Sequence, residues 1–142
     1  MADEASNNAE VFVYTEGVAV PHDVVRVRVH PSVTVIPLCT FEYRDALEEI
    51  ELCEGLLEIG NDAFYECDAL KHVNIPSTVT TIGGHAFGHC TKLEDVTLCE
   101  GLIGIGEAAF FGCKALKQIR IPSTVTVLPP CVFKGCERLK NV

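Results

Sequence analysis

Cysteine and histidine are the residues of this sequence with the widest chemical range, and their spacing limits what they can do. The chain has eight cysteines and five histidines in 142 residues. In principle such residues could form disulfides, bind zinc or pair as a nucleophile and its base. Four of the cysteines recur at a step of 23, at positions 67, 90, 113 and 136. This regularity favours a structural role, because free cysteine packs as a small apolar side chain.

The densest candidate cluster for a metal is His85, His89 and Cys90. Zinc needs three or four ligands that converge tetrahedrally, and the sequence has no CxxC pair. We expect Cys90 to point inward with Phe87 and His89 to lie on the surface. The sequence also lacks a phosphate-binding loop, HExxH and GxSxG. We therefore predict no metal, no cofactor and no catalytic residues, and a protein that is not an enzyme.

The remaining cysteines do not form convincing disulfide pairs. Cys39 and Cys131 share a repeat position four units apart, and Cys53 and Cys99 share another two units apart. Stacked units would keep these pairs beyond bridging distance.

The N-terminal residues MADEASNNAE are polar and acidic, unlike a secretory signal. Reduced thiols and an intracellular, cytoplasmic location are the consistent expectation.

A 23-residue repeat organises most of the chain. Phenylalanine recurs at this step from position 41 to 133, and leucine from 47 to 139. The unit reads L-x-x-[IV]-x-[IL]-x-x-x-[LV]-x-x-[IL]-[GP]-x-x-[AV]-F-x-x-C. Its first part alternates as a strand does, its middle is a second extended arm, and A-F-x-x-C favours a short helical turn. One unit cannot bury its apolar face alone, so the units must stack.

A longer period of 46 residues is superposed on the repeat. The turn after the strand reads CEG at residues 53–55 and 99–101, but PST at residues 76–78 and 122–124. Duplication of a two-unit block is the simplest interpretation, and a two-coil binding site is the functional alternative.

Four segments carry a recognisable signature: IGNDAFYEC, IGGHAFGHC, IGEAAFFGC and LPPCVFKGC. They resemble the BspA-like, or Treponema-type, leucine-rich repeats over about residues 24–142. The resemblance implies an α/β repeat, a right-handed leucine-rich-repeat solenoid. It would have a single parallel sheet, short helical turns opposite it and a β-type N-terminal cap. Members of this class serve in adhesion and host contact, among other roles.

The two ends of the chain differ. We expect a disordered tail at residues 1–10 and a solenoid at residues 11–142, in which residues 11–29 form the cap and the first strand. About five 23-residue coils follow, without a C-terminal cap. Val142 occupies the first inward position of a sixth strand. Either the chain is a fragment of a longer array, or its open end contacts another chain.

Charge is distributed unevenly. The net charge is −9 and no apolar run approaches the length of a membrane span, so nucleic acid and membranes are not expected partners. Residues 1–70 carry 15 acidic and 3 basic residues, a net of −12, whereas residues 71–142 carry 5 and 8, a net of +3. This polarity favours weak head-to-tail self-association through the open C-terminal end.

The outward positions of the predicted strands form polar ladders, and they are the candidate protein-binding face. The alternative is a solvated surface whose opposite charges simply pair along the stack. No aromatic residue lies on these ladders, so a typical hot spot is missing. The candidate residues are Arg26, Arg28, Glu48, Glu49, Glu51, Lys71, His72, Asn74, Glu94, Asp95, Thr97, Lys117, Gln118 and Arg120.

These observations predict a non-catalytic protein–protein interaction module whose protein partner the sequence does not identify. The alternative is a structural or adhesive segment of a larger BspA-like cell-surface protein.

Overall fold

The computed structural model describes residues 10–142. Residues 1–9, most of the predicted disordered tail, lie outside this range. The described residues form short strands that pair in parallel. The strands are β1 (Val11–Tyr14), β2 (Arg26–Val29), β3 (Val35–Ile36), β4 (Glu49–Glu51), β5 (Glu58–Ile59), β6 (His72–Asn74), β7 (Thr81–Ile82), β8 (Asp95–Thr97) and β9 (Gly104–Ile105).

The first face of the solenoid consists of β1, β2, β4, β6 and β8. Its register advances by one repeat, with Val27 opposite Ile50 and Val73 opposite Val96. Parallel bridges at Gln118 and Asn141 continue the row after β8. Inward side chains in these strands are largely buried and their neighbours largely exposed, which confirms the predicted alternation.

The strands of residues 10–142 pair into three sheets, so the prediction of a single sheet is wrong. The second extended arms of the first four coils form one of these sheets. Strands β3, β5, β7 and β9 pair in that order, and Ile59 lies opposite Ile36 and Ile82. Each of these strands is only two residues long, with one exposed or half-buried residue and one buried isoleucine. A strand of two residues is too short to be recognised from the periodicity of the sequence.

The predicted short helical turns are also wrong, because residues 10–142 contain no helix. The A-F-x-x-C segments are chains of turns in which two residues per coil have positive φ, for example Asp62 at 57° and Glu66 at 56°. A left-handed residue breaks an α-helix, so the α/β label is replaced by a β-solenoid. The prediction failed because inward positions at i, i+1 and i+4 fit this turn as well as a helix.

Hydrogen bonds between coils explain why these turns are not helical. The N–H of Phe64 donates to the carbonyl of Ala86 in the next coil at 2.8 Å, whereas the N–H of Tyr65 closes a local turn onto Asp62. This alternation repeats along the stack, so every second N–H points to the following coil. Intercoil bonds thus replace the i→i−4 bonds of a helix.

A column of phenylalanine rings fills the core beside these turns. Phe64 and Phe87 stack with centroids 5.1 Å apart and planes 2° apart, and the column runs from Phe41 to Phe133. Tyr14 of β1 meets the first ring edge-on at 5.4 Å. Because β1 pairs with β2 in parallel, it covers the start of this core.

Arg44 occupies the place of the repeat cysteine in the first coil. Its Nη2 donates to the carbonyl of Val20 at 2.8 Å and its Nε to that of Pro21 at 3.1 Å. The substitution therefore ties the N-terminal loop to the stack with charge-assisted hydrogen bonds.

The 46-residue period corresponds to alternating junctions between coils. The Glu54 carboxylate accepts hydrogen bonds from the N–H and the hydroxyl of Ser77, at 3.2 and 2.9 Å. Glu100 accepts the same two bonds from Ser123. At the other type of junction a thiol donates instead, from Cys99 to the carbonyl of Ile75 at 3.3 Å. A CEG turn and the PST turn that follows it therefore form a matched pair.

Candidate functional site: the polar strand face

The predicted ladders lie on the first face in the expected register. Arg28 is opposite Glu51, His72 is opposite Asp95, and Asn74 is opposite Thr97. The side chains of these residues are exposed because each alternates with an inward residue of the same strand. The structure therefore places the candidate residues on one face, in two paired ladders at β2–β4 and β6–β8. Their role in binding stays a prediction.

Within residues 10–142, two arginine–glutamate ion pairs and one histidine–aspartate hydrogen bond cross this face. Arg28 Nε lies 3.3 Å from Glu51 Oε1, Arg26 Nε lies 3.6 Å from Glu49 Oε1, and His72 Nδ1 lies 3.0 Å from Asp95 Oδ2. All six side chains are at least 30% exposed, so each pair stabilises the fold by about 1 kcal/mol at most.

The other charged ladder is not paired. Among residues 10–142, no ion pair joins members of the row Glu48, Lys71, Glu94 and Lys117. These residues directly precede the strand positions and their charges remain available to a partner.

A groove of about 830 Å³ lies in the C-terminal half of this face. Six candidate residues and Asn141 supply its polar lining, and its apolar lining consists of Val73, Val96, Leu98, Ile119 and Val142. The side chains of the six candidates offer an imidazole, a carboxylate, a hydroxyl, two amides and a guanidinium, so the groove can both donate and accept hydrogen bonds. The six are His72, Asn74, Asp95, Thr97, Gln118 and Arg120.

Within the described range 10–142, two clusters have ligand atoms close enough to hold a metal ion. One cluster consists of His72, Glu94 and Asp95, and the other of Cys39, Glu42 and Asp62. In each cluster the ligand atoms lie within 4.8 Å of one another. Each cluster combines residues of adjacent coils, so no short sequence motif predicts it. Neither coincides with the cluster considered in the sequence. There Cys90 is buried and donates its thiol to the carbonyl of Phe64, while His85 is exposed.

Cys67, Cys90 and Cys113 are fully buried in the core, as predicted, whereas the fourth repeat cysteine, Cys136, is only half-buried. Each thiol donates to the carbonyl of a phenylalanine 26 residues earlier, for example Cys67 to Phe41 at 3.2 Å. Burial raises the pKa of Cys67 to about 12 and that of Cys90 well above its ordinary value. These thiols are poor nucleophiles because they stay protonated at neutral pH.

Sequence reasoning missed an aromatic stripe on the turn side of the coils. Its rings contact one another edge to face: Tyr43 with Tyr65 at 5.9 Å, Tyr65 with His89 at 5.6 Å, and His89 with Phe111 at 5.2 Å. The spacing alternates between 22 and 24 residues, so the stripe does not appear at the repeat step of 23. A search at the 46-residue period would have found it, since Tyr43 and His89 are 46 residues apart, as are Tyr65 and Phe111.

Parallel strands stacked at a 23-residue step around a column of phenylalanine rings define a leucine-rich-repeat solenoid. Residues 23–140 match the family described as BspA type leucine rich repeat region in six copies. The chain belongs to this family.

Three solved structures share the fold. A leucine-rich repeat protein of Treponema pallidum is 36% identical, with a TM-score of 0.81 over 82% of this chain and 55% of that one. A leucine rich cell surface protein of Faecalibacterium prausnitzii A2-165 is 29% identical, with a TM-score of 0.73 over 92% and 31%. A leucine-rich repeat protein of Bacteroides ovatus is 19% identical, with a TM-score of 0.73 over 95% and 42%, and supports the fold alone.

The chain thus spans about a third to just over half of the length of these structures. No curated protein matches it significantly. Among the described residues, no helix is long and apolar enough to span a membrane.

Proposed function

We propose that this chain is a non-catalytic protein-interaction module that binds its partner with the polar strand face. The observation that carries the proposal is the groove of about 830 Å³, because six predicted face residues line it. The ordered stack beneath holds these side chains at fixed spacing, which lowers the entropy lost on binding. The net charge of −9 favours a protein over nucleic acid as the partner.

The composition of the groove supports a mixed polar and apolar interface of moderate affinity. Polar interfaces depend on about one hydrogen bond per 100–200 Å², and the amides, hydroxyl and charged groups here can supply them. Tryptophan and tyrosine, the usual anchors of tight complexes, are missing from the lining.

A comparison of charge-reversed variants tests this proposal. The variant Asp95→Lys/Arg120→Glu changes two groove residues, and Glu107→Lys/Lys114→Glu makes the same changes at exposed sites outside it. Proteins retained on the immobilised wild-type chain would be identified, purified and measured by calorimetry against all three proteins. We expect the groove variant to weaken binding at least tenfold and the control variant to leave it unchanged. Equal affinity for both variants would contradict a groove-centred site.

A structural or adhesive segment of a larger surface protein is the second candidate function. The similar F. prausnitzii protein is described as a cell surface protein, and this chain covers 31% of its structure. The intracellular location predicted from the reduced thiols remains the competing proposal. Labelling intact cells with a membrane-impermeant amine reagent separates the two, since only a surface segment would be modified.

Weak head-to-tail self-association also remains a proposal. In each earlier coil, the two left-handed residues and the phenylalanine between them donate their N–H groups to the next coil. Within residues 10–142, the equivalent groups of Cys131, Phe133 and Gly135 have no acceptor. A second copy or a further coil would supply one. Sedimentation at rising concentration should show association that Phe133→Glu abolishes, and a strictly monomeric wild type would refute it.

A further inference from the structure

The turn side of the first two repeat coils carries an aromatic corner surrounded by negative charge. The rings of Tyr43 and Tyr65 lie 5.9 Å apart with planes at 80° to each other, so one ring presents its edge to the face of the other. Tyr43 is 48% exposed and Tyr65 is half-buried. The Tyr65 ring also makes edge-to-face contacts with His85 at 6.2 Å and His89 at 5.6 Å, so the Tyr43 ring is the one that a ligand can reach.

Three carboxylates belong to the same turns as the two rings. Glu42 and Asp62 have oxygens within 4.8 Å of each other and of the Cys39 thiol, and Glu66 is in the same coil as Asp62. Their field raises the pKa of Tyr43, chiefly through Glu42, whereas the pKa of Tyr65 is raised chiefly by burial and then by Glu66. Both tyrosines therefore lie in a negative potential.

Within residues 10–142, no side-chain ion pair involves Glu42, Asp62 or Glu66. The charged pairs of this range involve other carboxylates, at positions 49, 51 and 95. The nearby guanidinium of Arg44 is directed to backbone carbonyls of Val20 and Pro21 and to that of Glu42. The Arg44 charge thus lies beside the Glu42 backbone, but the three carboxylates have no direct ion pair, which a cation of a partner could provide.

We infer that Tyr43 and Tyr65, with Glu42, Asp62 and Glu66, form a docking site for an arginine or lysine side chain in a basic segment of a partner protein. A ring face attracts a cation through its quadrupole, and adjacent carboxylates add direct ion pairing. Aromatic corners with acidic rims hold cations better than either element alone, because the rings also shield the ion pair from water.

The backbone beneath the site is held in place by its neighbours. The Tyr43 N–H donates to the carbonyl of Tyr65 at 2.8 Å, and the Glu66 N–H donates to that of Gly88 at 2.8 Å. The Tyr65 ring lies over Gly88, where an added Cβ would come within 3.0 Å of the ring. The corner is therefore built into the stack, on a different side of the coil from the strand face, and does not depend on the function proposed for that face.

A titration with hexa-arginine tests the site. The chain has three tyrosines and no tryptophan, so tyrosine fluorescence and ring NMR signals report on it directly. We expect the peptide to shift the Tyr43 and Tyr65 ring signals and leave those of the buried Tyr14 in place. Tyr43→Leu should weaken binding about fivefold, the effect of one exposed cation–π contact, whereas Tyr43→Phe should retain it.

A charge control separates the site from general attraction between opposite charges. Asp62→Asn removes a carboxylate at a position with φ of 57°, a conformation that asparagine adopts readily. Glu58→Gln removes an exposed carboxylate from β5. Asp62→Asn should weaken binding more than Glu58→Gln, with thermal unfolding confirming that each variant is folded. Equal losses for the two variants, or unchanged binding by Tyr43→Leu, would overturn the assignment. So would ring shifts that depend on protein concentration without peptide, since the occupant would then be a second copy.

Discussion

The rings of Phe64 and Phe87 stack almost parallel, with centroids 5.1 Å apart and planes inclined by only 2°. This distance is close to the separation of neighbouring strands in a sheet, so the ring column and the strand ladders rise with the same pitch. Stacked side chains and paired backbones therefore reinforce a single register.

Truncation in the centre of this column should be costly. Phe87→Ala removes a fully buried ring with stacked neighbours on both sides, and we expect a loss of about 3–5 kcal/mol in the free energy of unfolding. Phe133→Ala removes a half-buried ring from the end of the column and should cost clearly less. Urea unfolding followed by circular dichroism measures both. Equal costs would mean that the column does not have the described order.

Two glycines of one coil should respond differently to a methyl group. A Cβ at Gly106 would overlap the backbone nitrogen of Gly84, whereas at Gly104 it would meet Thr81 Cγ2 at 3.6 Å, an ordinary contact. We expect Gly106→Ala to destabilise by about 1–3 kcal/mol and Gly104→Ala to change stability by about 0.5 kcal/mol or less. Thermal unfolding of the two variants provides the comparison. A tolerated Gly106→Ala would contradict the close approach of these turns.

Backbone conformation separates two adjacent alanines. Ala108 has φ of 58° and is nearly buried, while Ala109 is fully buried without a positive φ. Ala108→Gly relieves left-handed strain of about 1 kcal/mol, which offsets the added entropy of the unfolded chain. We therefore expect Ala108→Gly to be nearly neutral and Ala109→Gly to lose at least about 1 kcal/mol, as measured by urea unfolding. The reverse ranking would show that Ala108 is not left-handed in solution.

Alkaline pH should weaken the fold through the buried thiols. Burial raises the pKa of Cys67 from 9.0 to about 12, so between these values the unfolded chain loses a proton that the folded chain retains. The unfolded state then binds fewer protons, and stability falls by up to about 1.4 kcal/mol per pH unit for this group. The full contribution is present below pH 9 and is lost as pH rises towards 12.

The variant Cys67→Ala isolates this contribution. Its stability at neutral pH will be lower because of the small cavity, but its decline above pH 9 should be shallower than that of the wild type. Urea midpoints at several pH values between 8 and 11 give the two slopes. Parallel slopes would mean that the Cys67 thiol is accessible to solvent in the folded protein.

The sequence predicted those features that repeat at one spacing. The strand pattern, the buried phenylalanines and the cysteine column all recur at 23 residues, and the structure has them in that register. The helical turns were predicted wrongly, because Asp62 and Glu66 adopt left-handed conformations that their residue types do not predict. Hydrogen bonds between coils impose this geometry, and such bonds are not visible in one isolated unit.

The polar strand face and the aromatic stripe also differed in whether the sequence predicted them. The strand face could be read from the sequence because its residues align at the repeat step. The aromatic stripe could not, since Tyr43 meets Tyr65 across a step of 22 and Tyr65 meets His89 across a step of 24. Side chains reach diagonally between neighbouring coils, so a strict ladder count overlooks them.

The matched junction between Glu54 and Ser77 constrains how such an array can lengthen or shorten. Removing a single 23-residue coil would place the CEG turn of Glu54 beside that of Glu100, so that two carboxylates would face each other where a serine now donates two hydrogen bonds. Removing two coils would restore the match between Glu54 and Ser123. The structural repeat of this solenoid is therefore the pair of coils, and we expect stably folded length variants to differ by even numbers of coils.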